Sequence, residues 1–502
     1  MNRKIRLLLI LALLFPACGI LTPSQVPTVQ SIAIQDTPVP VSPAETAALT
    51  LAPTTQPTVE TSTTLKPTAV QTGVIPVTGV HFFLPISSQE ISLVKDTGAY
   101  WTRTDGFHWN QIQPTNSSPA VYDWSSVNDQ MLQETSASGL QLIASIIYTP
   151  GWAQKNPGAL CGAVAQDSLS KFVDFMGALV SRYSQPPYNI KYWEIGNEPD
   201  IDPSLVPPDS GFGCWGDKTD PYYGGGYYAE VLKAVYPRLK AADPQSQLMV
   251  GGLLLDCDPV KPPEIPAGSG NFKDCTPSKF LEGILKNGGS SYFDGVSIHS
   301  YDYYGGSLGK YGNPNWHSSS DNGGPSLVSK AGYVSSLLAA YGAADKYLLG
   351  TELALLCGRD GTEDICRTSE FETTKAAYLV QAMIDAQVSH FRGMTWYGLV
   401  GWRGSGLATD DLQPLPAYYA LKFFNFLLSE AVNKQPVTDC TGVVGYEFAK
   451  GDQSIWVLWS GDGISHNVTL AALPKQIYNL SGEIMPVQLN VEVGPAPIYV
   501  VW

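Results

Sequence analysis

Eight short apolar runs, separated by gaps too long for hairpin turns, set the strongest constraint on how this chain folds. They begin near residues 79 (GVHFFL), 99 (AYWTRTD), 140 (LQLIASII), 190 (IKYWEI), 247 (QLMVGGL), 293 (FDGVSIH), 346 (KYLLGTE) and 392 (RGMTWYG). Several of the gaps carry helical periodicity, as in SKFVDFMGALVSRY (170–183) and YYAEVLKAVYPRLKAA (227–242). Strands joined through helices lie parallel, because a hairpin needs only a few residues and a parallel crossover needs a dozen or more. Eight strands with crossover helices predict an α/β fold, a (β/α)8 TIM barrel over 77–430. After about Glu430 the period changes to two, in VVGYEFA, SIWVLWS, HNVTLAAL, VQLNVEV and APIYVVW. That pattern predicts a small C-terminal antiparallel β accessory domain, sandwich-like, over 431–502. A unit of about 70 residues has a marginal core of its own, so it is expected to dock on the barrel.

The N-terminus reads differently. Arg3, Lys4 and Arg6 precede an apolar run from Leu7 to Ala17, far shorter than the roughly 20 residues a bilayer span requires. Residues 1–18 are therefore expected to be a signal peptide. Phe15-Pro16-Ala17-Cys18 resembles a bacterial lipobox with Phe where Leu is usual, which implies lipidation of Cys18 and a membrane-anchored lipoprotein on the extracytoplasmic side or cell surface. Residues 19–76 are rich in Thr, Pro and Ser and hold no aromatic residue. Such a stretch cannot form a core and is expected to be a disordered tether.

The net charge of −15 argues against nucleic acid or an anionic membrane surface as a partner. No Cys-x-x-Cys pair, cysteine–histidine spacing or His-Glu-x-x-His motif is present, so neither a metal nor another cofactor is expected. In an oxidising compartment Cys257/Cys275 and Cys357/Cys366 are the first candidates for disulfides and Cys161/Cys214 the next, which leaves Cys440 over. The chain is expected to be a monomer.

The chemistry-bearing clusters fall just past the C-terminal ends of the strands, the face on which such barrels build active sites. Two carboxylates stand there: Glu198, in KYWEIGNEPD after the fourth strand, and Glu352, in LLGTELAL after the seventh. A strand-end glutamate taken alone also serves as a salt-bridge or turn residue, but a barrel mouth brings these two into one cleft. Pro199 disfavours helical backbone at the residue before it, so Glu198 is expected to be extended. Glu194 lies four residues earlier, an expected 13 Å or so deeper at about 3.3 Å per strand residue, and reads as structural, partnered by a buried cation or hydroxyl. His299 is either a core histidine or a substrate-side group. Trp152, Trp396, Tyr397 and Trp402 are candidates for stacking on the apolar faces of a ligand, though aromatics also fill barrel cores.

In combination these residues resemble glycoside hydrolase clan A, most closely family 39-like enzymes, over roughly 78–430. The resemblance rests on Trp193-Glu194-Ile195-Gly196-Asn197-Glu198-Pro199, Thr351-Glu352, His299-Ser300-Tyr301, Trp396, Arg103, Tyr122-Asp123-Trp124 and Tyr148-Thr149-Pro150-Gly151-Trp152-Ala153. It implies a retaining hydrolase of O-glycosidic bonds in oligo- or polysaccharides, acting by double displacement with Glu198 as acid/base and Glu352 as nucleophile. It further implies that Arg103 and Tyr301 donate to Glu352, that Asn197 meets the sugar 2-hydroxyl, and that the Trp396–Tyr397 peptide is cis. The alternative is a catalytically inactive carbohydrate-binding or scaffold lipoprotein, whose natural signature would be a missing carboxylate. Both carboxylates are present.

Overall fold

The computed structural model describes residues 19–20, 77–83, 86–317, 324–438 and 440–502. The signal peptide, Cys18 and the rest of the tether lie outside the described residues. Within them, each of the eight apolar runs forms a strand and each strand is followed by a helix. The elements are β1 Thr78–His81, α1 Ser88–Asp96, β2 Trp101–His108, α2 Asp129–Ala137, β3 Gln141–Ile147, α3 Leu169–Tyr183, β4 Tyr192–Ile195 and α4 Gly225–Ala242. They continue as β5 Gln247–Leu253, α5 Phe280–Lys286, β6 Gly295–Tyr304, α6 Leu327–Ala340, β7 Tyr347–Leu356, α7 Ser369–Val388, β8 Gly393–Trp396 and α8 Pro416–Leu428. Pairing runs β5-β4-β3-β2-β1-β8-β7-β6, and β5 pairs with β6 to close the parallel barrel.

Local chemistry starts the helices where the periodicity does. Ser87 and Glu90 form a reciprocal capping box at α1, Thr368 caps α7, and Pro416 opens α8, where its missing N–H costs no hydrogen bond. The floor of the barrel is filled by Trp101, Ile143, Met249 and Leu349. A Cβ on Gly393 would overlap the Trp101 ring, and one on Gly79 would overlap the Trp101 backbone on the neighbouring strand.

The C-terminal strands are β9 Val432–Thr438, β10 Val443–Lys450, β11 Gln453–Ser460, β12 His466–Thr469, β13 Gln476–Tyr478, β14 Asn490–Val493 and β15 Ile498–Val501. β9-β10-β11-β15-β13 form an antiparallel sheet, and β12 and β14 form a separate ribbon. Along β11, Ile455, Val457 and Trp459 belong to the barrel's core, whereas Trp456 and Leu458 pack with Val468 and Val491 of the ribbon. The period of two thus buries both faces of the sheet. Phe423 of α8 meets Tyr478 and Tyr499 at that junction.

β9 (VNKQPVT) is too polar to show the period and is an addition to the expected strands. Gly19 and Ile20, expected in the tether, pair antiparallel with Thr438 and Val437 of β9. This covers backbone groups that an edge strand would leave open.

The three expected disulfides are formed: Cys161–Cys214, Cys257–Cys275 and Cys357–Cys366. Cys440, expected to be left over, is disulfide-bonded too. Among the described residues no helix is long and apolar enough to cross a membrane.

Candidate active site

Strand alternation carries the site up from the barrel floor. On β2, Trp101 fills the floor, and Arg103 and then Asp105 follow on the same face. On β4, Tyr192 is followed by Glu194. β7 breaks the alternation: Ile298 of β6 pairs with Gly350, but His299 pairs with Glu352, so one residue of β7 is extra. Counting by twos from Leu349 would turn Thr351 inward and Glu352 outward. The bulge re-aims Glu352 into the barrel beside His299.

The turn after β4 does not follow the expectation. Gly196 has φ 80° and Glu198 φ 52°, so Glu198 is left-handed rather than extended. Pro199 disfavours the right-handed helical region at the residue before it but leaves the left-handed one open, and the Glu198 N–H donates to Gly252 O at 2.9 Å. A non-glycine residue held there stores strain of order 1–3 kcal/mol.

One guanidinium organises the cluster. Arg103, fully buried, donates from Nε to Glu194 Oε2 (2.7 Å), from Nη1 to Glu352 Oε1 (2.8 Å) and from Nη2 to Asn197 Oδ1 (2.8 Å). Glu194 is therefore partnered by a buried cation, and Arg103 links it to Glu352. Tyr301 donates its hydroxyl to Glu352 Oε2. His299 Nδ1 stands between the two mouth carboxylates, 2.8 Å from Glu198 Oε1 and 3.4 Å from Glu352 Oε2. Asn197 Nδ2 donates to Gly211 O at 3.2 Å, which leaves its second N–H unused among the described residues. Its amide orientation is fixed because Arg103 can only donate.

Burial raises the pKa of both mouth carboxyls, but unequally. Glu198 is pushed well above the carboxylate range by burial, then by the charges of Glu352 and Asp200. Glu352 is raised by burial but held to about 7, because Arg103 and the Tyr301 hydroxyl favour its charged form. One proton shared by the pair therefore rests on Glu198. Burial, with Arg103 and Lys330, holds His299 well below its usual value. The ring is neutral, and its Nδ1 shares a hydrogen bond with Glu198.

Several supporting residues carry no motif and were missed in the sequence. Lys330 of α6 reaches into the wall and donates to Leu254 O (2.6 Å) and His299 O (2.8 Å), its pKa lowered by burial to about 8. Asp200 accepts the N–H groups of Leu254 and Leu255. Asp105 lies 3.4 Å from Arg103; burial raises its pKa, but Arg103 and His81 outweigh this and keep it low. Only the inward face of β2 could have suggested Asp105, and nothing local marks Lys330.

The expected aromatics separate. Trp396 is fully buried, donates Nε1 to Ser405 O (2.7 Å) and packs on Tyr378 of α7. It therefore faces the helix layer and cannot stack on a sugar; alternation places Tyr397 inward instead, against His81 and Tyr301. The Trp396–Tyr397 bond is not among the cis peptides of the described residues, which are Ser118–Pro119, Pro186–Pro187 and Ile265–Pro266. Trp152 packs on Trp109 and donates to Gln113 O, within the loop after β2. Trp402 is 54% exposed, with the Arg403 guanidinium over its ring.

Glu198, His299 and Glu352 offer three ligand atoms within 4.8 Å of one another, a set that suits a cation by geometry alone. Arg103 and Tyr301 already occupy the Glu352 oxygens, however, and the fixed charge of Arg103 opposes a second cation there. The set is suited to sharing a proton.

The closed parallel barrel with its docked C-terminal β unit is the fold that the comparisons with solved structures return. A family 39 glycoside hydrolase from Bacteroides cellulosilyticus superposes with a TM-score of 0.62 at 18% identity, covering 86% of this chain and 81% of its own. A family 30 endoxylanase from Clostridium papyrosolvens (TM-score 0.54, 14% identity, 85% and 96% covered) is also similar. So is a monomeric β-xylosidase from Caulobacter crescentus (0.54, 16%, 85% and 96%). No family model and no curated protein matches the sequence.

Proposed function

We propose that this chain is a retaining glycoside hydrolase that cleaves O-glycosidic bonds of oligo- or polysaccharides by double displacement. The observation that carries the reading is the mouth pair itself: an oxygen of Glu198 and one of Glu352 lie within 4.8 Å, with the shared proton on Glu198. Retaining enzymes hold their carboxyls about 5–5.5 Å apart, whereas inverting ones leave about 6.5–9.5 Å for a water. Glu352, ionised and aimed by Arg103 and Tyr301, attacks the anomeric carbon while Glu198 gives its proton to the departing oxygen. Glu198, now a carboxylate, then takes a proton from water, which displaces Glu352 from the glycosyl-enzyme. The free N–H of Asn197 is placed to bind the sugar 2-hydroxyl, a contact that strengthens as oxocarbenium character develops. The fold relatives named as a β-xylosidase and an endoxylanase make β-linked substrates the first to try.

The Glu198→Ala protein tests the acid/base role. Its turnover of glycosides with poor leaving groups is expected to fall by roughly 10²–10⁴-fold, with a smaller loss on activated aryl glycosides, where azide should restore rate and yield a β-glycosyl azide from a β-substrate. The wild-type pH profile of kcat/KM should rise as Glu352 loses its proton near pH 7 and fall again at higher pH as Glu198 loses its own. The alkaline limb should vanish in Glu198→Ala. Wild-type turnover in the variant, or an unchanged alkaline limb, would refute the assignment.

The disulfides fit an oxidising, extracytoplasmic compartment, and lipid anchoring at Cys18 belongs to the same proposal, which requires the Cys18 sulfur to carry the lipid and not to be the disulfide partner of Cys440. Mass analysis of the N-terminal peptide from membranes tests it. A diacylglyceryl adduct on Cys18 supports the anchor, and an unmodified or disulfide-linked Cys18 overturns it.

A further inference from the structure

The hairpin that extends β6 and the C-terminal sheet enclose a second cavity, of about 370 Å³, beyond the carboxylate pair. The barrel contributes Tyr303, Lys310, Tyr311 and Gln381, and the sheet contributes Trp459 and Asp462. We propose that this cavity is a distal glycan subsite continuous with the cleft, so that the C-terminal sheet helps hold a neutral oligosaccharide substrate. The proposal rests on the glycosidase reading for the identity of the ligand.

Continuity comes from β6. His299, Tyr301 and Tyr303 alternate onto one face of this strand, so Tyr303 stands roughly 7 Å further out than the tyrosine bonded to Glu352. Tyr303 is 38% exposed and lines the cavity; one side chain therefore belongs to both the mouth and the second cavity. The walls are braced. Tyr311 donates to Gln381 Oε1, and Gln381 Nε2 donates to Pro495 O at 2.9 Å, which ties the hairpin through α7 to the sheet.

The lining chooses the ligand class. Three aromatic side chains offer faces or edges to apolar C–H groups. Charge is balanced: Lys310 has no ion-pair partner among the described residues, and Asp462, bonded by His466, Ile464 N–H and Ser460, is held charged with its pKa near 2. An anionic sugar would meet Asp462, and a purely apolar segment would bury two charges without hydrogen bonds. A neutral polyhydroxylated chain satisfies both groups.

Gly312 lies opposite Tyr303 in the hairpin, lines the cavity, and a Cβ there meets nothing within 4 Å at a φ that other residues adopt. Gly312→Phe therefore fills the cavity without touching the carboxylate cluster. Hexasaccharides of β-linked xylose, glucose, mannose and galactose are each titrated calorimetrically into the full-length Glu352→Ala protein with and without Gly312→Phe, alongside the shorter members of each series. Affinity is expected to rise with chain length in the parent, and the Gly312→Phe protein is expected to bind the best hexasaccharide roughly tenfold more weakly while binding its disaccharide unchanged. On the otherwise wild-type background, kcat/KM for an aryl monoglycoside should be unaffected. Asp462→Asn, on the sheet side, should weaken hexasaccharide binding in the same direction and keeps the test independent of the hairpin. Equal hexasaccharide affinity in parent and both variants, or no binding by any of the four series, overturns the subsite. Length-dependent binding that the variants weaken, in a wild-type protein that hydrolyses nothing, would keep the subsite and remove the catalytic reading.

Discussion

Replacing Glu352 by alanine is expected to lower kcat/KM for an aryl β-glycoside by roughly 10⁴-fold or more, because in the proposed mechanism it removes the group that forms the covalent intermediate. No neighbour can replace it. Glu194 is locked under Arg103, and Glu198 carries the proton and its backbone is fixed in a left-handed turn. Glu352→Asp keeps the charge but withdraws it by about 1 Å, a misplacement that can cost on the order of 10²-fold. The two variants therefore separate the presence of the carboxylate from its position. A 2-deoxy-2-fluoro glycoside with a good leaving group should add its glycosyl mass to the peptide that contains Glu352 in the wild-type protein and to none in Glu352→Ala. Rapid turnover by the alanine variant, or labelling of another peptide, would sink the mechanism.

Arg103→Met is expected to damage both stability and activity. Arg103 neutralises a buried cluster in which Glu194 is 2.7 Å away, Glu352 2.8 Å and Asp105 3.4 Å. Breaking a buried ion pair by removing one partner costs about 3–5 kcal/mol, most of it the uncompensated charge left behind. Arg103 also holds down the pKa of Glu352, so its loss should move the acid limb of the pH profile upward and shrink the active fraction at neutral pH. Arg103→Lys retains the charge but cannot reach Glu194, Glu352 and Asn197 together with one planar fork, and should fall between the two. Adding Glu194→Gln to Arg103→Met should recover part of the stability, since one stranded carboxylate is then neutral. Urea unfolding at pH 7 checks the series; a loss under about 1 kcal/mol for Arg103→Met would show that the cluster relaxes without its cation.

Much of this molecule was legible because its signals are local. The apolar runs, the helical spacing between them and the change of period near residue 430 are properties of a few neighbouring residues, and they yielded the eight strands, the barrel and the C-terminal sheet. Glu198 and Glu352 were placed from strand ends, and the disulfides Cys257–Cys275 and Cys357–Cys366 from their short separation, whereas Cys161–Cys214, 53 residues apart, was only one possible pair. β9 escaped because it is polar and is a strand through its partners rather than through its own pattern.

What the sequence by itself determined is which residues reach the mouth: the strands they end, and the short turn after β4 that carries Glu198 to Pro199. Only the tertiary structure decided which way those residues face. The extra residue in β7 turns Glu352 inward. Outward alternation in β8 sends Trp396 to the helix layer and leaves Tyr397 at the site, and the reach of Arg103 links Glu194 to Glu352. The recruitment of Lys330 from a helix and of Trp459 from the C-terminal sheet belongs to the same class. A side chain's direction depends on strand register, and register is set by pairing partners far away in the chain, so no local window of sequence contains it.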